Sequence, residues 1–494
     1  MYQILQPIQV GPMRLKNRIS YLGMAKNMST PDNFVTDRQI AYYTNYAKND
    51  VALITTGACI VFDDYPSKLP CQPGLYDDKF IPGLKRLTSS VHQYDAKIVA
   101  QLWHPGVAAY GCTPDQVKAV EDFTIEEIHE MQGRFVEAFK RAKLAGFDGC
   151  EWHMAHNYLA EMFSVPCFNK RTDEYGADTI ENAARFSVEI LEHARQECGE
   201  DFAIVVKINA YDMGIEGGMT PERCADLCAA LEKAGAQMFS ISAGGTLTDI
   251  TGMSGDGYRA EGWKIEFARK VKEKVNVPVQ ATGSIRHLDV MEEAIKSGAC
   301  DMIGMGRGLL AEPEFVKKVK ENRVDELRYC ISCMNCFIPY DGDVGHCAVN
   351  PVATFESLEP ELVKDGNGRL VVVVGAGPAG IEAACVLAMR GFKVKLFEKD
   401  GYVGGSVYHA SIPKGKAKLE WALEAYRRQL IDAGVELHLN TEITSDTVRE
   451  LQPYAVFVAT GCYPIVPRSI PGIDKPIVTE AKDYFINQNI GSGK

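Results

Sequence analysis

The feature that most constrains this chain is an alternation of short apolar runs with amphipathic helical stretches between residues 18 and 305. Two of the helical stretches are Glu126–Leu144, with Thr124 placed to cap it, and Pro221–Ala234. Such an alternation favours a closed (β/α)₈ barrel over an open doubly wound sheet. The predicted strands are Arg18–Gly23, Val51–Thr56, Lys97–Trp103, Phe147–His153, Phe202–Ile208, Gln237–Ser242, Val277–Thr282 and Asp301–Met305.

A second αβ module follows a Gly/Asp-rich connector at Lys364–Gly368. Its first strand opens into Gly-Ala-Gly-Pro-Ala-Gly, in which Gly375, Gly377 and Gly380 suit a tight turn, close approach to a pyrophosphate and helix–strand packing. Glu398, about twenty residues further on, is placed to accept a hydrogen bond from a ribose hydroxyl. The module therefore predicts a dinucleotide site on strands Leu370–Val374, Lys393–Phe397 and Ala455–Thr460 and helices Pro378–Arg390 and Lys418–Ala433.

Between the two modules lie four closely spaced cysteines, Cys330, Cys333, Cys336 and Cys347. Four thiolates at such separations match the ligands of an iron–sulfur cube or of a structural zinc ion. The adjoining dinucleotide motif favours a [4Fe-4S] cluster, since electrons can then pass between two redox groups. A non-catalytic scaffold stapled by zinc is the alternative from another functional class. The other eleven cysteines are predicted to be small apolar residues.

Charge and hydropathy exclude several functional classes. The formal net charge is −12, and no basic run indicates a nucleic-acid partner. The N-terminus lacks a signal peptide pattern, and the longest apolar runs are too short to cross a membrane. These features predict a cytoplasmic protein with a small-molecule partner and leave its oligomeric state open, a homo-oligomer included.

Polar residues gather where the barrel strands are predicted to end, which is where barrel enzymes place their sites. The third strand ends in Gln101-Leu-Trp-His104-Pro-Gly, and the fourth is followed by His153, His156 and Tyr158. Each histidine alone has a structural interpretation, and His-x-x-His alone could bind a metal. Lys207 lies in an apolar strand, which indicates a functional role. The alternative is a solvated lysine at the end of the strand. Gly283, Gly306 and Arg307 resemble a phosphate cradle.

The motifs Asn17-Arg18, Gln101-Leu-Trp-His-Pro-Gly, His-x-x-His-x-Tyr-Leu and the run from Asn169 to Gly176 resemble the old yellow enzyme family. With the cysteines and the glycine-rich turn, the chain resembles the long, multi-cofactor branch that includes 2,4-dienoyl-CoA reductase, 2-enoate reductase, trimethylamine dehydrogenase and bile-acid oxidoreductases. The resemblance implies FMN bound by the barrel. The implied FMN-binding residues are Met24, Ala25, Gly57, Gln101, Lys207, Gly283, Gly306 and Arg307.

The resemblance also implies how the chain is divided. We expect an FMN-binding barrel in residues 1–329, a cluster segment and linker in 330–368, and part of an FAD-binding domain in 369–494. Ala459-Thr460-Gly461 resembles an FAD-contacting motif, so Thr460 and Gly461 join the expected FAD site. Long relatives insert a nicotinamide domain after this point, and the chain is therefore expected to be a fragment whose FAD occupancy is open.

The implied activity is that of an ene-reductase. Electrons from NAD(P)H would pass through FAD and the cluster to FMN, which would reduce an activated C=C of an enoate, steroid or bile acid, flavonoid or enoyl thioester. His153 and His156 would polarise the substrate carbonyl, and Tyr158 would donate a proton to the α-carbon. An amine dehydrogenase is the rival, although Ala25 stands where a covalent flavin would need cysteine. The loop Ala243–Trp263 lacks the histidine of dienoyl-CoA reductases and is predicted to be a mobile lid.

Overall fold

The chain forms two compact units. The computed structural model describes residues 2–64, 69–108, 117–254, 258–337, 343–358 and 362–487. The first unit comprises Met1–Val324 with Ser332–Leu358, and the second comprises Asp325–Ile331 with Glu359–Lys494. The segment that carries the four clustered cysteines is therefore divided, with Cys330 in the second unit and the other three in the first.

The first unit opens with an antiparallel hairpin of β1 (Ile8–Val10) and β2 (Met13–Leu15), which the sequence analysis did not predict. Alternate residues of the hairpin, Val10, Met13 and Leu15, are buried against residues near the starts of the barrel strands, including Leu53 and Met302. The hairpin thus closes the amino-terminal end of the barrel with apolar side chains. Functional side chains are left to the opposite end.

The predicted barrel is confirmed. Eight parallel strands close in chain order, with the last pairing with the first. They are β3 (Ile19–Tyr21), β4 (Leu53–Ile60), β5 (Lys97–Trp103), β6 (Gly149–Met154), β7 (Ala203–Asn209), β8 (Met238–Ser242), β9 (Val279–Ala281) and β10 (Met302–Met305). Strand β4 runs further than predicted, because a register shift between Thr55 and Ala58 carries Gly57 inside the strand.

Helices surround the barrel strands. The predicted cap of the third helix is present, since the Thr124 side chain accepts from the Glu127 backbone N–H and the Glu127 carboxylate accepts from Thr124 N. The helices are α1 (Asp37–Lys48), α2 (Ile81–His92), α3 (Ile125–Leu144), α4 (Leu159–Ser164), α5 (Ile180–Cys198), α6 (Pro221–Lys233), α7 (Ile250–Ser254), α8 (Ile265–Lys272), α9 (Leu288–Lys296), α10 (Arg307–Ala311) and α11 (Phe315–Lys320).

The second unit is built on a parallel sheet of β11 (Leu370–Val374), β12 (Lys393–Phe397), β13 (Glu436–His438) and β14 (Ala455–Val458). The strand order is β13-β12-β11-β14, so the order reverses between β11 and β14, where α/β sheets bind their ligands. Strand β13 was not predicted. The helices are α12 (Pro378–Met389), α13 (Ser406–Ser411), α14 (Lys418–Asp432), α15 (Ser445–Leu451) and α16 (Ala481–Asn487).

Candidate active site

The carboxyl end of β6 brings His153, His156 and Tyr158 together. His153 lies in the strand, in register with Lys207 of β7, and Tyr158 directly precedes α4. The chain between them turns through left-handed backbone at His156 (φ 66°) and Asn157 (φ 60°). The ring centroids are 5.0 Å apart for the two histidines, 5.1 Å for His153 and Tyr158, and 6.3 Å for His156 and Tyr158. The three predicted catalytic side chains therefore form one cluster.

Both histidines are kept neutral by their surroundings. Burial lowers the pKa of His153 well below its ordinary value, and the charge of Lys207 lowers it further. Burial, His153 and two lysines lower the pKa of His156 in the same way. Within the described ranges, His153 Nδ1 is buried without a hydrogen-bond partner, whereas His156 Nε2 lies 2.8 Å from Ser242 Oγ. A neutral imidazole with an unpartnered ring nitrogen is suited to a polar ligand atom.

A network of buried carboxylates and amides supports the turn. Glu161 Oε2 accepts from Asn157 N at 2.5 Å, and Glu161 Oε1 accepts from Asn209 Nδ2 at 2.8 Å. Asp212 Oδ1 accepts from Asn157 Nδ2 at 3.1 Å. Burial, followed by the charge of Asp212, raises the pKa of Glu161. This network was not predicted, because its members lie in α4, in β7 and in the turns after β6 and β7, and they follow no local sequence pattern.

Aromatic and imidazole side chains line the same end of the barrel. The indole of Trp103 meets the ring of Tyr158 edge-on at 5.4 Å between centroids. The ring centroids of His104 and Phe62 are 4.7 Å apart, and burial lowers the pKa of His104 to about 3. Tyr258, in the loop predicted to be a lid, is 78 % exposed. Tyr158 is 9 % exposed and lies beside both histidines.

Lys207 is buried beside an acidic partner. Its side chain is 5 % exposed, and Nζ lies 3.9 Å from Glu151 Oε1. The amide of Gln101 donates to the same carboxylate oxygen at 2.6 Å. The solvated alternative for Lys207 is therefore wrong. No role was predicted for Glu151, although it stands in the sequence as a carboxylate in an apolar strand.

The glycines predicted to cradle a phosphate lie at the ends of β9 and β10. Gly283 has left-handed backbone (φ 112°), and Gly306 directly precedes α10. Arg307 Nη2 donates to Ser284 Oγ at 2.9 Å. Three other residues expected to bind FMN lie close to one another, since a Cβ on Gly57 would come within 2.7 Å of Met24 O and 3.0 Å of Ala25 Cα. A Cβ on Gly306 would come within 3.0 Å of Met24 Sδ. Glycine backbone and the charge of Arg307 at this end fit a phosphate-bearing cofactor such as FMN.

Three of the clustered cysteines belong to the first unit. Cys336 is buried, Cys347 is partly buried and Cys333 is exposed. Lys26 Nζ donates to Cys336 O at 2.7 Å and to Gly345 O at 3.4 Å, which holds the two ends of the loop close together. Across the described part of the chain, no three His, Cys, Asp or Glu side chains are grouped to hold a metal ion. The thiol donor set itself fits the ligands of an iron–sulfur cube.

The second unit contains the glycine-rich turn at the carboxyl end of β11. Gly375 has left-handed backbone (φ 101°), and Gly380 approaches Gly375 O too closely for any side chain. Space beside Gly377 is open. Glu398 Oε2 accepts from Ala376 N at 2.8 Å, so the carboxylate lies against the turn. A Cβ on Gly375 would meet Thr460 Cα at 3.2 Å, which puts Thr460 and its neighbour Gly461 beside the same turn.

Comparison with known proteins identifies the class. Residues 3–326 match the NADH:flavin oxidoreductase / NADH oxidase family, and residues 373–429 match an NAD(P)-binding Rossmann-like domain. The chain belongs to the NADH:flavin oxidoreductase / NADH oxidase family, in the multi-cofactor branch of the old yellow enzymes, and is a flavin oxidoreductase. The predicted family is thus confirmed.

The similarity extends over nearly the whole chain. An "NADH oxidase" of Thermoanaerobacter brockii is 37 % identical over 94 % of this chain and 74 % of its own length. A "cinnamate reductase" of Clostridium sporogenes is 31 % identical over 99 % and 78 %. The solved structure of a 2-naphthoyl-CoA reductase complex is 28 % identical, with a TM-score of 0.91 over 98 % of this chain and 78 % of that one. Within the described ranges, every helix is too short or too polar to span a membrane.

Proposed function

We propose that this protein is an ene-reductase that reduces the activated C=C of an unsaturated carbonyl compound, such as an enoate, a steroid or bile acid, a flavonoid or an enoyl thioester. The observation that carries the proposal is the cluster of His153, His156 and Tyr158, with His153 Nδ1 buried and unpartnered within the described ranges. A carbonyl oxygen needs such a donor, because negative charge collects on it when a hydride reaches the β-carbon.

Each member of the cluster has a distinct role. The two histidines would hold the substrate carbonyl oxygen, and they can do so as neutral hydrogen-bond donors since burial lowers the pKa of both. Tyr158 would give its phenolic proton to the α-carbon. Its edge-on contact with Trp103 fixes the ring, so the hydroxyl is held in one position. The network of Glu161 and Asn157 would keep the turn, and with it His156, in place.

The cofactors follow from the remaining residues. Met24, Ala25, Gly57, Gln101, Lys207, Gly283, Gly306 and Arg307 would hold FMN. Cys330, Cys333, Cys336 and Cys347 would bind one [4Fe-4S] cluster, and Gly375, Gly377, Gly380, Glu398, Thr460 and Gly461 would bind FAD. When bound, these groups supply the hydride and carry electrons from NAD(P)H. Lys207 would balance the negative charge of a reduced flavin, and Glu151 would limit how strongly it does so.

Tyr158→Phe tests the proposal. The change removes only a hydroxyl, so FMN binding and reduction should survive. Reoxidation of the reduced enzyme by an enone, followed anaerobically by stopped flow, should slow by about a hundredfold to ten-thousandfold, the contribution of a positioned acid. Tyr258→Phe is the matched control, since Tyr258 is exposed and its loss should leave the rate unchanged.

Two outcomes would contradict this assignment. Full-rate reoxidation in Tyr158→Phe would mean that solvent or another group provides the proton. Failure of every enone to reoxidise the native enzyme, together with rapid flavin reduction by a secondary or tertiary amine, would make it an amine dehydrogenase instead. The second result would leave the flavin and the barrel unaffected and would change only the direction of the chemistry.

A further inference from the structure

Lys264 is a buried cation that the roles assigned above do not use. It directly precedes α8 and is 2 % exposed. Its ammonium contacts only neutral oxygens, namely Ser242 Oγ at 3.3 Å and the backbone oxygens of Ala243 and Met253, each at 3.4 Å. In the part of the chain that the structure describes, no carboxylate lies within 4.0 Å of it. A lysine buried this deeply normally has an anionic partner.

The neighbouring cations have other counterparts. Lys207 lies 3.9 Å from Glu151, and Arg259 lies 2.5 Å from Asp249. Arg307 stands at the glycine turns that fit the FMN phosphate. Burial lowers the pKa of Lys264, the charges of Lys207, Arg307 and Arg259 lower it further, and the charge of Asp249 opposes them. The surroundings of Lys264 therefore hold more positive than negative charge, and an anion bound beside its amine would favour the protonated, charged form of the lysine.

The ammonium is coupled to the catalytic cluster through one hydroxyl. Ser242 Oγ lies 3.3 Å from Lys264 Nζ and 2.8 Å from His156 Nε2. The indole of Trp263 lies 5.1 Å from the ammonium and covers it from another side. Its Nε1 is buried and, across the described residues, has no hydrogen-bond partner. A ligand held by His156 thus comes within reach of a second, charged donor.

We propose that Lys264 is a specificity-determining residue that binds the carboxylate of an anionic α,β-unsaturated acid beside His156. The inference rests on the proposed function and narrows its substrate class. A carboxylate activates a C=C poorly, because hydride addition would put a second negative charge on an anion. A buried ammonium offsets that charge. The β-carbon gains a hydride that originates from NAD(P)H, the α-carbon gains a proton, the C=C becomes a single bond, and the carboxylate is unchanged.

The FMN phosphate is the competing anion, since a Cβ on Gly283 would lie 3.1 Å from Lys264 N and Cγ. However, the polar contacts of the ammonium lead towards the end of β8 and Met253. They do not include the glycine turns, where Arg307 already supplies a positive charge. The backbone of Lys264 thus borders the phosphate cradle, while its charge faces the histidine side of the site.

The test compares Lys264→Met with Lys270→Met in the FMN-loaded full chain. Lys270 is an exposed lysine of α8 paired with Glu222, so it controls for loss of a charge from the same helix. With cinnamate as the oxidant, kcat/KM should fall about a hundredfold in Lys264→Met, as expected for removal of one partner from a buried charge pair. With neutral methyl cinnamate it should change by less than about threefold. Lys270→Met should resemble the native enzyme with both.

A binding measurement gives a readout that needs no turnover. The saturated acid 3-phenylpropionate, titrated into the oxidised enzyme, should perturb flavin absorbance, and its Kd should rise about a hundredfold in Lys264→Met. Its neutral amide should bind both proteins alike. Lys264→Gln provides the same comparison with a polar side chain if the methionine variant folds poorly.

The outcomes distinguish the substrate carboxylate from the FMN phosphate as the partner of Lys264. They also distinguish failure of the carboxylate site from failure of the proposed ene-reductase activity. If Lys264→Met weakens FMN but not riboflavin in reconstitution of the apoprotein, and affects both substrates equally, the lysine serves the phosphate and the inference is overturned. An unchanged Kd of the acid in Lys264→Met also overturns the inference. In that case, reduction of methyl cinnamate would leave the proposed function intact. Lys264-dependent acid binding without reduction of any alkene would sustain the carboxylate site and reject the ene-reductase.

Discussion

The carboxyl end of the barrel and the glycine-rich turn of the second unit differ in which part of the chain forms the cofactor site. The barrel site is built from side chains on separate strands, such as Gln101 on β5, Glu151 on β6 and Lys207 on β7. The second site is built from the backbone of one continuous turn, Gly375 to Gly380. A site of side chains can be tuned by exchanging charges, whereas at Gly375 and Gly380 the backbone leaves no room for a side chain.

Gly380→Ala should have the largest effect on the second site. A Cβ at Gly380 would fall well inside van der Waals contact of Gly375 O, so the turn would have to move. We expect dinucleotide affinity to fall at least a hundredfold, equivalent to about 3 kcal/mol. Chromatography of released cofactors should then find FMN but no FAD. Gly133→Ala, in α3 where a Cβ meets nothing within 4 Å, is the control and should be silent. Retention of FAD in Gly380→Ala would break the comparison.

Met13→Ala probes the closed end of the barrel, where packing rather than polarity matters. Met13 is 2 % exposed, and truncation should lower the free energy of unfolding by about 2–5 kcal/mol. Urea unfolding followed by FMN release should report the loss. Arg14→Ala, on the exposed face of the same hairpin strand, should change stability by less than about 0.5 kcal/mol. Equal effects of the two changes would mean that the hairpin does not close the barrel core.

Glu151→Gln sharpens the claim that charges tune the barrel site. The amide keeps the shape of the carboxylate but removes the negative charge 3.9 Å from Lys207. Lys207 would then favour an anionic reduced flavin more strongly, and the two-electron midpoint potential of FMN should rise by about 30 mV, equivalent to about 1.4 kcal/mol. Spectroelectrochemical titration measures the change. Exposed Glu266→Gln should leave the potential alone, and a fall in Glu151→Gln would reverse the assigned electrostatics.

The smallest predicted effect comes from His287 and Glu261, which lie 2.6 Å apart beyond β9. The hydrogen bond that His287 Nδ1 donates to the Glu261 carboxylate raises the pKa of His287. Burial raises the pKa of Glu261, but hydrogen bonds from His287 and Arg286 outweigh it and leave that pKa lowered. The contribution of His287 to the stability of the fold is present below about pH 6.5 and is lost as pH rises. The contribution of Glu261 is lost as pH falls below about 4.5.

The pair of His287 and Glu261 therefore contributes most to the free energy of unfolding between about pH 4.5 and about pH 6.5. His287→Gln should destabilise the protein by up to about 1 kcal/mol near pH 5.5 and by almost nothing near pH 9. Thermal unfolding at several pH values tests this dependence. A loss of equal size at every pH would mean that His287 contributes by packing alone.

Local patterns explain what could be predicted. The barrel strands follow from short apolar runs, the cap of α3 follows from Thr124 and Glu127, and the glycine-rich turn follows from its spacing. The hairpin of β1 and β2 was missed because its strands have three residues each, too few for alternation to stand out. Lys264 was missed because, in sequence, it is one lysine beside a helix that also carries exposed ones.

The sequence by itself determined the class of fold, the family and the position of the dinucleotide turn, since each depends on residues near one another in the chain. Only the tertiary structure decided which buried charges face each other. Lys207 meets Glu151 through the pairing of β6 with β7, and Ser242 at the end of β8 lies between Lys264 and His156. Charges separated by many residues interact strongly only when folding brings them within a few ångströms and removes the water between them.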